Sequence, residues 1–233
     1  MLTEEAHHLF VGEMGVDRIV QRAAELMKEG KDPRTNGGVP LAMIQRYLNR
    51  WFSLSLDLFG GEVSSNAADF FAAGLKGRFR EADHEEHKVL TQSYRLALPE
   101  NGKLVEQDVA MRNALNEVLR DEYVKDCQRA VDRWNKTLTK QGVQGLELKL
   151  PHRRFHRGVG PFSGMQFDPR GDFLSEAEWT AQQAGWLPSS EDRAYVKSLM
   201  QAVYEPGKIA AWIAPPSKGI NGKPFEFEYV RKS

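Results

Sequence analysis

Residues 1–28 read MLTEEAHHLFVGEMGVDRIVQRAAELMK, and the interpretation of the whole chain turns on them. Glu5 and His8 stand three residues apart, which on a helix is about 300°, so both side chains leave one side a single turn apart. Their face continues through Leu9, Gly12, Val16, Ile19, Val20, Ala23 and Met27, apolar or small residues throughout. The opposite face carries Glu4, His7, Arg18, Gln21, Arg22 and Glu25. This periodicity predicts a helix over residues 3–28 with Glu5 and His8 aimed inward. A buried carboxylate and imidazole need partners, because burying them unpaired is costly.

Working outward, GKDPRTNGG at 30–38 is a loop, and Pro40 suits the first turn of a second helix running to about Phe59. Gly60 and Gly61 stop it. Ser64 or Ser65 can cap a further helix, SSNAADFFAAGLKGRF, which passes into the charged READHEEHK segment. PENGK at 99–103 reads as a turn. A long helical pattern is expected from about Val105 to Lys140. LELKL at 146–150 alternates briefly, and residues 151–173 are irregular and rich in Gly, Pro and aromatics. Ser175 to Glu178 matches a capping box opening a short helix, and another follows Ser189 or Ser190. The tail reads as two short extended pieces around a Pro- and Gly-rich loop. The expected fold is all-α: residues 1–140 a helical part and residues 141–233 an irregular, short-helix extension packing on it.

Composition narrows the function. Lys and Arg number 32 and Asp and Glu 32, a formal net charge of zero that gives no field to attract a polyanion, so nucleic acid is not expected as a partner. At 41% hydrophobic and 27% charged the chain belongs with globular proteins. No apolar run approaches the roughly 20 residues of a membrane span. A single cysteine, Cys127, cannot form an internal disulfide, which suits a reducing cytosol. The first ten residues lack the basic start and apolar core of an export signal.

Among residues suited to chemistry, Glu5 and His8 come first. A carboxylate oxygen and an imidazole nitrogen one turn apart can bind one metal ion or two adjacent ones. Ferritin-like di-iron bundles use two such Glu-x-x-His pairs with a carboxylate from each of two further helices. A solvated first turn is the alternative reading. A second Glu-x-x-His, Glu81 and His84, is flanked by Asp83, Glu85, Glu86, His87 and Lys88 and has no apolar face, so it reads as a solvated helix end. In HRRFHR at 152–157, Arg153, Arg154 and Arg157 could hold the phosphates of a ligand such as coenzyme A; the competing reading is ion pairs to the long acidic helix. Cys127 lies mid-helix, and a nucleophilic role is not expected of it.

EEAHHLFVGEMGVDRIVQR, RYLNRWFSLSLDLFGGEVSSNAADFFAAGLKGR, RWNKTL, RRFHRGVG and WIAPPSKGINGKPFEFEYV together resemble the oxygenase component of benzoyl-CoA 2,3-epoxidase, from Met1 to Ser233. The resemblance implies a ferritin-like di-iron protein that epoxidises the ring of benzoyl-CoA with molecular oxygen. Electrons would come from a separate NADPH-dependent reductase carrying FAD and iron–sulfur clusters, in aerobic benzoate breakdown in the bacterial cytoplasm.

The chain resembles only the C-terminal half of that family. EEAHH would be the second Glu-x-x-His, making Glu5 and His8 iron ligands, and the other ligands of the two irons would lie upstream of Met1. The chain alone is therefore expected to be inactive, its apolar face partly uncovered and prone to association. The alternatives are an epoxidase for another aromatic acyl-CoA such as phenylacetyl-CoA, a non-catalytic helical binding module, one chain of a split oxygenase, or a pseudogene product.

Overall fold

A computed structural model describes residues 2–64, 93–100, 102–200, 202–219, 221–224 and 226–230. The described chain is mostly helical with short paired strands: α1 (Leu2–Lys28), α2 (Leu41–Asp57), β1 (Ser93–Glu100), β2 (Lys103–Ala110), α3 (Leu115–Lys140), α4 (Glu176–Trp186), α5 (Ser190–Leu199), β3 (Lys208–Ala210) and β4 (Glu228–Val230). It divides into two compact units, each assembled from separate stretches. One comprises Met1–Asn49, Cys127–Leu150 and Gln182–Ser233; the other comprises Arg50–Asp126 and Pro151–Ala181. The boundary at 140/141 marks a change of sequence texture, whereas the units follow contacts between distant stretches.

In the first unit the apolar stripe of α1 forms a core from Val20 onward. Val20, Ala23 and Ala24 meet Val39, Met43, Ile44, Val131, Trp134, Leu138 and Leu148. Polar contacts fix α3 along the same helix: Trp134 Nε1 donates to the Glu13 carbonyl (3.2 Å), Thr137 Oγ1 to Asp17 (2.7 Å), and Arg133 pairs with Glu13. Both helices end on glycines in left-handed geometry. Gly30 (φ +69°) and Gly142 (φ +87°) close paired backbone bonds, Lys31 N–H to Leu26 O and Val143 N–H to Leu138 O, that satisfy the last-turn carbonyls.

LELKL pairs with no strand among the described residues. Asn135 donates to the Leu148 carbonyl (2.9 Å) and accepts from its N–H (2.8 Å); Gln45 does the same for Lys149, at 2.7 and 2.8 Å. Two side-chain amides take the place of a neighbouring strand. Helix α5 follows Ser189, one of the two starts read from the sequence, and its cap is a capping box of Ser189 with Asp192. The two extended pieces of the tail are β3 and β4, paired in parallel with Ile209 opposite Tyr229.

The tail covers the α1 face bearing Arg18 and Arg22: Arg18 Nε donates to the Ala214 carbonyl (2.7 Å), Arg22 Nε to that of Ala211 (3.0 Å), and Arg22 stacks on Tyr229 at 3.8 Å. Arginine can line a buried contact because its apolar stem packs while its N–H groups reach carbonyls.

In the second unit, β1 and β2 form an antiparallel hairpin with Ser93 opposite Ala110 and Glu100 opposite Lys103, turning through Gly102 at φ +75°. The turn at 99–103 is where the sequence placed it. The helix expected from Val105 is not: β2 runs to Ala110, a 3₁₀ turn spans Met111–Asn113, and α3 begins at Leu115. Val105 and Val109 are four apart, a spacing that keeps one face in a strand as well as in a helix, so it could not distinguish them. The capping box at Ser175 is present, with Glu178 accepting from Ser175 N–H at 2.8 Å. The expected SSNAADFF helix and the Glu81/His84 pair lie outside the described residues.

Candidate functional site

Glu5 and His8 sit on the first turns of α1, one above the other. His8 Nδ1 lies 3.7 Å from Glu5 Oε2, and the side chains are 62% and 65% exposed respectively. The helix carries them on one side, as the spacing requires, but no packed neighbour closes over them. Contacts from α3 begin at Glu13, and before that point the apolar Leu9, Phe10 and Val11 are exposed, Leu9 by 75%. A carboxylate and an imidazole this close can share one metal ion. Among the described residues no third Asp, Glu, His or Cys joins them. Cys127 on α3 is partly buried.

The second unit holds a dense ionic cluster, in which Arg153 makes the ion pairs to the long helix that were the competing reading of HRRFHR. Arg120 is fully buried; its Nη2 donates to the Gly60 carbonyl (2.6 Å) and its Nη1 faces Glu62 (3.4 Å) and Glu117. Burial, with Arg157 nearby, pulls its pKa down to about 10. Arg157, 1% exposed at its side chain, pairs with Asp57 (2.6 Å) and Glu62 (2.7 Å). Arg153 bonds Glu117 and Asp121, and Tyr94 donates to Asp121. Burial and that carboxylate push the Tyr94 phenol up to about 12.

Buried charges in this arrangement hold one another, since removing either partner leaves an uncompensated ion. Gly160 (φ +84°) lies against Glu62 Oε2 with no room for a Cβ. The cluster thus fastens the end of α2, the start of α3 and the RRFHRGVG loop. Its sequence signal was slight: Glu117, Arg120 and Asp121 share one face of α3 and look like an ordinary solvated stripe.

Arg154 differs from its neighbours. Its guanidinium lies 5.7 Å over the Phe162 ring, and no carboxylate pairs with it among the described residues. His156 takes a left-handed backbone (φ 50°), stacks on Trp179 at 5.7 Å, and is held toward its neutral form by burial and then by Arg50.

No helix among the described residues is long and apolar enough to cross a membrane. The chain matches no known protein-family description. It is similar to benzoyl-CoA oxygenase component B of Aromatoleum evansii, with 48% identity over 99% of this chain. The match covers 50% of that relative, so the chain spans about half the length of the curated protein it resembles. The residues that resembled an aromatic acyl-CoA oxygenase are therefore part of a similarity running along 99% of the chain, which is similar to benzoyl-CoA oxygenase component B over about half of that protein's length.

Proposed function

We propose that this chain is the C-terminal part of a di-iron oxygenase that converts benzoyl-CoA to its 2,3-epoxide. It would use molecular oxygen and electrons from an NADPH-dependent flavin and iron–sulfur reductase. The observation carrying this reading is the 48% identity along 99% of the chain to a protein named for benzoyl-CoA oxygenation.

The donor set on α1 fits a metal in kind. In this reading Glu5 is a terminal or bridging carboxylate and His8 a nitrogen ligand, both free to turn toward an ion at the exposed helix face. Bound iron would supply the activation of oxygen, chemistry that no side chain here offers. Two donors fill only part of a di-iron ligand set, and we assign the remainder to the half of the relative's length that this chain does not span. Leu9 and Phe10, a turn further along, would help exclude water from the reacting ring once a partner segment covers them.

The test joins this chain to that companion half and measures iron content together with benzoyl-CoA-dependent oxygen uptake in the presence of a reductase. Glu5→Ala and His8→Ala should each lower iron content and abolish uptake. Iron retained by both variants sinks the ligand assignment. Faster turnover of phenylacetyl-CoA moves the substrate.

The exposure of Glu5 and His8 supports a second reading, a non-catalytic helical module. Under it the variants behave as the parent in every respect.

A further inference from the structure

The arginines of the HRRFHR loop are unequal in what they have left to offer. Arg153 has both terminal nitrogens on carboxylates, Glu117 and Asp121. Arg157 places Nε on Asp57 (2.6 Å), Nη1 on Glu62 (2.7 Å) and Nη2 on the Val159 carbonyl (3.3 Å), inside a side chain that solvent barely reaches. Arg157 keeps neither the donors nor the access that a phosphoryl group requires, and the charge of the partly exposed Arg153 is already matched by two carboxylates.

Arg154 keeps both. Its backbone N–H is used, donating to His152 Nδ1 at 3.2 Å, but among the described residues its guanidinium is committed only to the face of Phe162. That ring is itself buried, so the platform is fixed. Stacking leaves the N–H edge of a guanidinium open, and its fork matches phosphate oxygens. The surroundings are unfavourable to an uncompensated cation. Burial and then Arg153 make Arg154 hold its proton less tightly, while Glu106 of β2 opposes them from beyond ion-pair distance. Half-buried His152 is pushed toward its neutral form by burial, then by Arg154 and Arg153. A partly desolvated cation without a counter-ion is costly, and an anion supplying oxygens relieves that cost.

We propose that Arg154, seated on Phe162, is an anion-binding position for a phosphoryl group and, resting on the acyl-CoA reading above, that it receives a phosphate of the coenzyme A moiety. Arg153 and Arg157 hold the loop in shape and do not contact the ligand.

Calorimetric titration of the chain with pyrophosphate, and separately with adenosine 3′,5′-bisphosphate, tests this. Arg154→Ala should weaken binding about tenfold or more, the loss of a charge-assisted contact, with an unchanged melting curve because no ion pair is broken. Arg154→Lys should recover part of the affinity, and added salt should weaken the parent's binding. Ligand should also raise the NMR titration midpoint of His152 in the parent and leave it unmoved in Arg154→Ala. Equal affinity of parent and Arg154→Ala, or no binding of either probe to the parent, overturns the site. Pyrophosphate bound through Arg154 but not displaced by benzoyl-CoA overturns the coenzyme A assignment. A completed enzyme whose benzoyl-CoA KM is unaffected by Arg154→Ala overturns the inference while leaving the proposed function standing.

Discussion

Two acid–base pairs in this protein share the same helical spacing and meet opposite fates. Glu5 and His8 are three residues apart on α1, and Glu117 and Arg120 are three apart on α3. The first pair stands in solvent; in the second, Arg120 is fully buried and Glu117 is 3% exposed at its side chain. Spacing sets the direction in which two side chains leave a helix, and nothing more. What surrounds that direction decides whether the pair is a weak surface contact, a structural tie or a set of ligands waiting for an ion.

The largest expected effect separates the two pairs by stability. Arg120→Ala strips a buried cluster of its central cation, leaving Glu62 to Arg157 alone and Glu117 to Arg153 alone, and should cost about 3 kcal/mol in urea unfolding of the chain. Glu5→Ala and His8→Ala, measured the same way, should each change stability by no more than ~0.5 kcal/mol. Equal losses from both pairs would erase the distinction.

Next in size is Gly160→Ala, which forces a side chain into left-handed backbone against a buried carboxylate. A loss of roughly 1–3 kcal/mol by chemical unfolding is expected, and a neutral result would show that the loop can yield around Glu62.

A smaller effect of about 1 kcal/mol is expected for Ser189→Ala, which removes the cap of α5, seen as a lower melting temperature.

Asp192 sharpens the comparison through pH. Arg46, first by hydrogen bonding, holds its carboxyl below the ordinary aspartate value of about 3.9. A depressed folded pKa means that Asp192 contributes its full stabilisation above that ordinary value and loses it as pH falls through the folded one. Asp192→Asn should therefore lower neutral-pH stability and flatten the acid limb of the stability curve; an unchanged slope would remove Asp192 from the account.

Legibility in the sequence followed the range of the interactions involved. Helix α1, the end of α2 before Gly60, the capping box at Ser175, the helix start after Ser189 and the turn at 99–103 depend on residues within a few positions of one another, and their patterns name them. The hairpin was half legible: its turn was marked, but Val105 and Val109 fit a helix as readily as a strand, and only the pairing of β2 with β1 decides between them. No local pattern marks Arg22 and Arg120 as buried, because their partners are the Ala211 carbonyl 189 residues away and Glu62 58 residues away.

By itself, then, the sequence determined that Glu5 and His8 share a side of one helix, that the chain is mostly helical with a short extended tail, and which aromatic acyl-CoA oxygenase it resembles. These rest on local periodicity and on residue identity in order. Only the tertiary structure decided that Arg153 and Arg157 are bound by carboxylates while, among the described residues, Arg154 is not, that the tail covers the polar side of α1, and that the core begins beyond the first turns bearing Glu5 and His8. The physical reason is that desolvation and charge pairing depend on neighbours brought in from far along the chain, and no spacing within one helix encodes them.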